Sequence, residues 1–396
     1  MLWFRLAIIA CCLSGLNGAT MAAPPGEWKL PPLNGDLSGD FIPALLPDAP
    51  PLHWKLVFRA SRPRVRSVEF AIDGPGLQLR GSAELDPMGE GEWRLTGGKM
   101  ALAQWMPFLL PVLSPDSAGM VLAGDLEATG SGTWRAGVLG GQATVSVRDG
   151  QVDDPARKLT LEGVTLDLEL ADLASRRAGP GQILTWRKGR YDVIALGTAR
   201  IEFALEHDEL RVNDSNIDVF GGELRVNSFV MSTRRREFSV AANMTGVAVE
   251  QILFLIPPVL AEAHGKMDGK LTLHWDSNGV QIGAGRLALR EGETAELRLS
   301  PAATSLSGNL PASVQKLYPG LVHMETGGVP LRAQLLDLIL TPDGDSEGRT
   351  ASVHIIGGPE DPSLRAPIDL TVNVRGPLES LVRFGTNSRL RFGGGR

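Results

Sequence analysis

The sequence predicts a mostly β protein: an elongated, curled antiparallel sheet with a few short helices and an internal repeat. Three observations predict it. Apolar and polar residues alternate through most of the chain, the period of a strand with one dry and one wet face. Glycine is abundant, 47 of 396 residues, or about 12% against a usual ~7%, which favours short strands and tight turns over helices. A unit of strands around an apolar, proline-broken segment also occurs twice.

The chain opens with the marks of an export signal. Arg5 is the first charge, "LAIIACCLSGL" (6–16) is an apolar core, and "TMA" (20–22) offers small residues for cleavage. The apolar run is shorter than the ~20 residues that span a bilayer. Residues 1–22 are therefore expected to be a signal peptide, with an N-terminal anchor as the alternative and a lipid on Cys11 of "IIAC" as a looser one. Both cysteines, Cys11 and Cys12, fall in this segment, so the mature chain has no disulfide or thiolate chemistry. Removing it takes away Arg5 alone among charged residues and moves the net charge from −6 to −7. A mildly acidic chain without a long basic tract argues against a nucleic-acid partner.

Residues 23–51 are rich in proline and read as a linker. From residue 52 onward the period is two. Its clearest stretches are Val164, Leu166, Leu168 and Leu170; Leu271, Leu273 and Trp275; Leu336, Leu338 and Leu340; and Ile368, Leu370, Val372 and Val374. Helical pattern is confined to about 101–113, 249–263, 310–318 and 377–385, where prolines at 111, 257 and 258 kink or end the first two.

The repeat pairs "QWMPFLLPVL" (104–113) with "QILFLIPPVL" (251–260), and "GDLEATGSGTW" (124–134) with "GKMDGKLTLHW" (265–275). Each apolar segment follows a strand closing on "LTGG" (95–98) or "MTGV" (244–247). Each tryptophan precedes a glycine-rich turn and a further strand. Two modules are expected, 52–200 and 201–396, in an elongated or stacked arrangement.

No reaction chemistry emerges. "DGDSEG" (343–348) resembles the start of a calcium loop, but His354 stands at the twelfth position where a glutamate is needed, so an acidic turn is the simpler reading. "EHDE" (206–209) has no second cluster at metal-site spacing, and the histidines are scattered. No Gly-x-Ser-x-Gly elbow or phosphate-cradling loop is present. "STRRREF" (232–238) reads as a charged turn between strands. Neither enzymatic activity, a metal nor a cofactor is expected.

The informative feature is collective: many strands with one aliphatic face. Those faces close on each other in an ordinary sandwich or solenoid, a structural or interaction scaffold. Alternatively they stay open as a trough that takes something apolar, for which acyl chains suit a Leu, Val and Ile lining. The four alternating sets above are the expected lining.

"LRVNDSNIDVFGGELRV" (210–226), "VEQILFLIPPVLAEAHGKMDGKLTLHW" (249–275), "GVQIGAGRLALREG" (279–292) and residues 329–382 together resemble the C-terminal region of the YdbH family. That family sits within the AsmA-like, TamB-like group of bacterial intermembrane phospholipid transport proteins. The resemblance implies a β-taco groove that carries phospholipids between the inner and outer membranes, with phospholipids and membranes as partners. It further implies a periplasmic location, inner-membrane anchoring as an alternative, and a small outer-membrane lipoprotein as partner by strand addition near the C-terminus. The chain departs from the family in its shorter length and its cleavable-looking N-terminal segment.

Overall fold

The computed structural model describes residues 34–299 and 323–374, apart from 63–64, 87–89, 114–118, 136–137, 208, 233–236, 254–259, 277–278, 325–327, 362–363 and 365–366. The expected signal segment and the helices expected at 310–318 and 377–385 lie outside the described residues, as do Pro257 and Pro258. The protein is mostly β, its sheet curled and antiparallel but not a closed barrel. It divides into two compact units, one holding the described residues up to 192 and the other those from 236 onward.

The first unit contains β1 (Gly35–Phe41), β2 (Leu52–Arg62), β3 (Val65–Gly74), β4 (Leu77–Leu85) and β5 (Gly91–Ala101). Helix α1 (Leu102–Leu113) follows, then β6 (Val121–Arg135), β7 (Val138–Asp154), β8 (Leu159–Asp172), β9 (Arg177–Trp186) and β10 (Lys188–Tyr191). From β1 to β8 each strand pairs with the next in sequence. β9 and β10 both pair with β8, and β9 also pairs with β11 (Ile194–Glu206). This meander is what alternating patterns joined by short turns produce. Strand β1 occupies the proline-free interval of the lead that was expected to be a linker, and Ala49 near the end of that lead is buried in the core.

Cross-strand partners share a face. In this unit Leu77, Met100, Leu126, Val147 and Leu166 follow one another in register and form a buried row. Helix α1 lies over this end of the sheet. Its buried residues Leu102, Trp105, Met106, Leu109 and Leu110 recur at helical spacing. The Trp105 indole donates to the carbonyl of Pro75 at 2.8 Å, tying the helix to the β3–β4 turn. Pro107 and Pro111 both sit on its exposed side, where the carbonyls left without an N–H partner can be solvated.

The second unit contains β14 (Phe238–Ala248), a 3-10 turn (Val249–Gln251), β15 (Leu260–His264), β16 (Lys266–Asp276), β17 (Gly279–Leu289) and β18 (Ala295–Leu299). It continues through β19 (Leu331–Leu340), β20 (Ala351–Pro359) and β21 (Ile368–Val374). Strands β12 (Glu209–Val219) and β13 (Gly222–Ser232) divide between the units, and residues 223–226 of β13 pair with β14. Pairing again runs as a meander: β14 with β16, β16 with β17, then β19, β20 and β21. β15 and β18 prolong the β16–β17 ribbon, and one edge of β19 serves both β18 and β17.

The helix expected at 249–263 is corrected. Among the described residues Val249–Gln251 forms a 3-10 turn rather than α-helix, and Leu260–His264 is a strand. "LAEAH" has helical propensity, but register with β18 buries Leu260 and Ala263, and pairing outweighs so weak a preference.

The repeat is structural as well. β5 and β14 each have 11 residues, with Trp134 opposite the first residue of β5 and Trp275 opposite the first residue of β14. Each pairing carries a bulge at the quoted motif, between Leu95 and Gly98 and between Met244 and Val247. The last residue of the bulged strand also repeats its bond: Ala101 N–H donates to Gly76 O at 2.7 Å, and Ala248 N–H to Phe220 O at 2.8 Å.

Candidate functional site

The candidate site is the apolar face of each unit, built row by row from strand register. In the second unit one row runs Leu224, Met244, Gly269, Leu287, Leu338, Val353, Val372. The next runs Val226, Ala242, Leu271, Gly285, Leu340, Ala351, Val374. Leu336 pairs with Ile355 and through it with Leu370, and Ile368 lies opposite Gly357. Leu273 and Trp275 continue the face along β16, with Trp275 stacked on Phe238 at 5.9 Å. In the first unit Val164, Leu166, Leu168 and Leu170 share the inner face of β8.

Burial separates these residues. Leu336, Leu338 and Leu340 are 0–1% exposed, and the four β8 residues 2–4%. Leu271 and Ile368 are also buried, whereas Leu273, Trp275, Leu370 and Val372 are half-buried; the side chain of Val374 is not among those described. The face is therefore tightly closed in some stretches and partly open in others.

Sequence reasoning missed the partly open stretch of the first unit. Trp54, Phe70 and Trp93 stand opposite Gly39, Gly81 and Gly132 in register. A Cβ at Gly130, beside Gly132 on the same face, would lie 3.1 Å from the Trp93 ring, and one at Gly81 would collide with Phe70. The rings thus lie down over residues without side chains. Trp93 is fixed there by donating its indole N–H to Gly140 O at 3.1 Å. The available signal was glycine inside alternating strands, but without register it reads only as bulge or turn. On the same face of β9, the buried Trp186 indole N–H has no hydrogen-bond partner.

The opposite face is wet and laced with cross-strand pairs, including Lys99–Glu127 at 2.8 Å, Lys188–Glu162 at 2.9 Å and Arg148–Asp167. Exposed pairs of this kind contribute ~0–1 kcal/mol each and mainly reinforce register. Ser239 and His274 also face each other across β14 and β16 at 2.6 Å, but both are paired within strands rather than on a nucleophile elbow. Among the described residues no group of three or more His, Cys, Asp or Glu could hold a metal, and no helix is long and apolar enough to cross a membrane.

Two carboxylates have structural posts. Asp268 accepts Gly246 N–H at 2.6 Å, inside the second bulge where Gly246 has φ +66°, and is held by Arg290 at 3.0 and 3.1 Å. Those bonds, Arg290's first, keep its carboxyl below the usual range. Asp345, in the loop that resembled a calcium site, accepts the Glu347 and Arg349 N–H groups at 2.9 Å and Arg349 Nε at 2.6 Å. Its oxygens are thus spent on its own turn.

A family model described as "YdbH-like: Intermembrane phospholipid transport protein YdbH" matches residues 21–312. No curated protein and no solved structure matches the chain.

Proposed function

Because the chain belongs to the YdbH-like family of intermembrane phospholipid transport proteins, we propose that it is a non-enzymatic carrier whose apolar β-face shields phospholipid acyl chains. The observation that carries this is the register itself. Strand after strand, the residues that meet across each ladder on the inner face are apolar or glycine, while the charged pairs are on the other. A face of that kind offers contact to hydrocarbon along its length. Lipid would partition along the face without a cofactor. The setting is the cell envelope; a periplasmic mature chain, and a small outer-membrane lipoprotein adding a strand near the C-terminus, belong to the same proposal.

A second reading, an envelope scaffold with closed apolar faces, is favoured by one observation: Leu331, Ala333, Leu336, Leu338, Ala351 and Val353 are at most 1% exposed. Purifying residues 23–396 under mild conditions and identifying bound lipid by mass spectrometry separates the two. Phospholipid at reproducible stoichiometry supports the carrier, and a lipid-free, monodisperse protein supports the scaffold.

A charge on the face sharpens the result. Val372 is half-buried, so Val372→Asp should keep the fold and lower lipid retention. Leu168, 4% exposed, has no room for a hydrated carboxylate, and Leu168→Asp should destabilise the first unit by several kcal/mol instead.

A further inference from the structure

We infer that the acyl-chain seat of the first unit is the oblique strip in which aromatic rings lie over glycines, Trp54 to Phe70 to Trp93, and that α1 marks its closed end. The inference rests on the carrier function proposed above and adds where on the face the chain lies.

The strip differs from every fully packed stretch in one respect: its large side chains lie flat. Trp54 is opposite Gly39, Phe70 opposite Gly81, and Trp93 opposite Gly132. Ring planes close over the glycines, at 3.2–3.3 Å from a Cβ placed on Gly39 and 3.1 Å from one on Gly130. A ring that lies down leaves height above it, and Leu95, the leucine between Gly81 and Gly130, leans toward Gly98. Trp93 cannot swing up without breaking its bond to Gly140 O, so the lane stays low. Beside it, Gly132 faces Gly141 and Gly130 faces Ala143, so β6 and β7 project almost nothing into the same lane. All three rings remain half-buried, which means apolar surface is still available to a guest.

The packed stretches behave differently. Protein interiors are filled to crystal-like density, so a chain could enter beside Leu166 or Leu338 only by displacing their neighbours. The strip needs no such displacement. Each step from Trp54 to Phe70 to Trp93 moves one pleat further from the α1-covered row of Leu77, Met100 and Leu126. With ~4.8 Å between strands and ~3.4 Å per residue, the strip runs for on the order of 20 Å. That is enough for the ~15 Å of hydrocarbon in one leaflet. With α1 blocking one end, a chain would enter from the β6–β7 turn side.

The test uses residues 23–396 with a photoreactive benzoylphenylalanine at Ala83, directly opposite Trp93, or at Leu370, a half-buried position on the face of the second unit. Irradiation in the presence of phosphatidylethanolamine–phosphatidylglycerol vesicles should attach phospholipid at Ala83. Leu95 lies in register between Gly81 and Gly130, so Leu95→Trp overfills the lane. It should lower the yield at Ala83 about tenfold, the effect of overpacking a filled site, with the thermal midpoint preserved, while Leu95→Met should not. Lipid at Leu370 but not at Ala83, or a yield at Ala83 indifferent to Leu95→Trp, overturns the seat and leaves the carrier standing. Lipid at neither position overturns the carrier itself.

Discussion

The two copies of the repeat build the same strand pair and then finish it differently. Both set a bulge at the same motif, both place a tryptophan opposite the first residue of the bulged strand, and both lay a glutamine over a turn glycine, Gln104 over Gly76 and Gln251 over Gly221. After that the first copy spends 12 residues on α1, which covers the end of the sheet with Trp105, Met106, Leu109 and Leu110. At the same point the described residues of the second copy form a 3-10 turn at Val249–Gln251, and β15 prolongs β16. Its bulge is instead locked by polar bonds, Asp268 to Gly246 and Arg290. Among the described residues, then, the first framework carries a helical cover and the second a charged clasp. Both interiors have packed rows, but their partly open stretches differ: rings lie over glycines in the first, and in the second Trp275 stacks on Phe238 while Leu370 and Val372 are half-buried.

The largest effect should come from cutting into the closed interior. Leu338→Ala, at a fully buried position, is expected to cost about 2–5 kcal/mol, whereas Leu95→Ala, half-buried in the open strip, should cost about 1 kcal/mol. Hydrogen exchange resolved by peptide keeps the units apart, since a chain with two units need not unfold in one step. Equal losses of protection would erase the distinction between a packed and an open face.

The clasp should weigh less. Asp268→Ala removes three bonds, but the carboxylate is 42% exposed, so solvent screening reduces the loss to ~1 kcal/mol. Exchange of the Gly246 amide should speed up while β5 and β6 are unaffected. The pH dependence follows from the sign of the shift. A carboxyl held below its unfolded value stabilises the fold above that value, and the contribution fades as pH falls below ~4. If protection at Gly246 were indifferent to the substitution, backbone geometry alone would be holding the bulge.

Much of this was legible before any coordinates, and the reason is specific. Leu166, Leu168 and Leu170 alternate with Asp167 and Glu169, and Leu336, Leu338 and Leu340 recur at the same spacing around Asp337 and Ile339, so period two by itself assigns each set to one face. The helix at 101–113 was legible because its apolar residues recur at helical spacing. What was not legible depended on partners distant in sequence. "LAEAH" becomes a strand only because β18 lies beside it, and β1 emerges from a proline-rich lead because β2 supplies a ladder. Trp93 means little until register sets Gly130 and Gly132 beneath it. Alternation fixes the face of a residue, and pairing decides whether that face is filled.

The smallest effect belongs to the β19–β20 turn, where the second unit again uses a carboxylate rather than apolar cover. The loop is tied internally: Thr341 N–H donates to Thr350 O at 2.9 Å, Gly344 N–H to Thr341 O at 2.7 Å, and Thr341 Oγ1 to Arg349 O at 2.6 Å. Asp345 completes it by taking the Arg349 backbone and side-chain N–H groups and that of Glu347, and these bonds, Arg349's backbone N–H first, pull its carboxyl down to about 2. The turn should therefore be at full strength above pH ~4, the unfolded value, and loosen only as pH falls toward that lower figure. Asp345→Asn should remove the pH dependence and leave the Arg349 amide in faster exchange throughout, with the thermal midpoint almost unmoved because the loop is exposed. Calcium is the discriminating control. Amide shifts in residues 343–349 on calcium addition would return the loop to the metal-binding class that its sequence resembles, whereas an unchanged spectrum fits a carboxylate whose acceptors are taken by its own backbone.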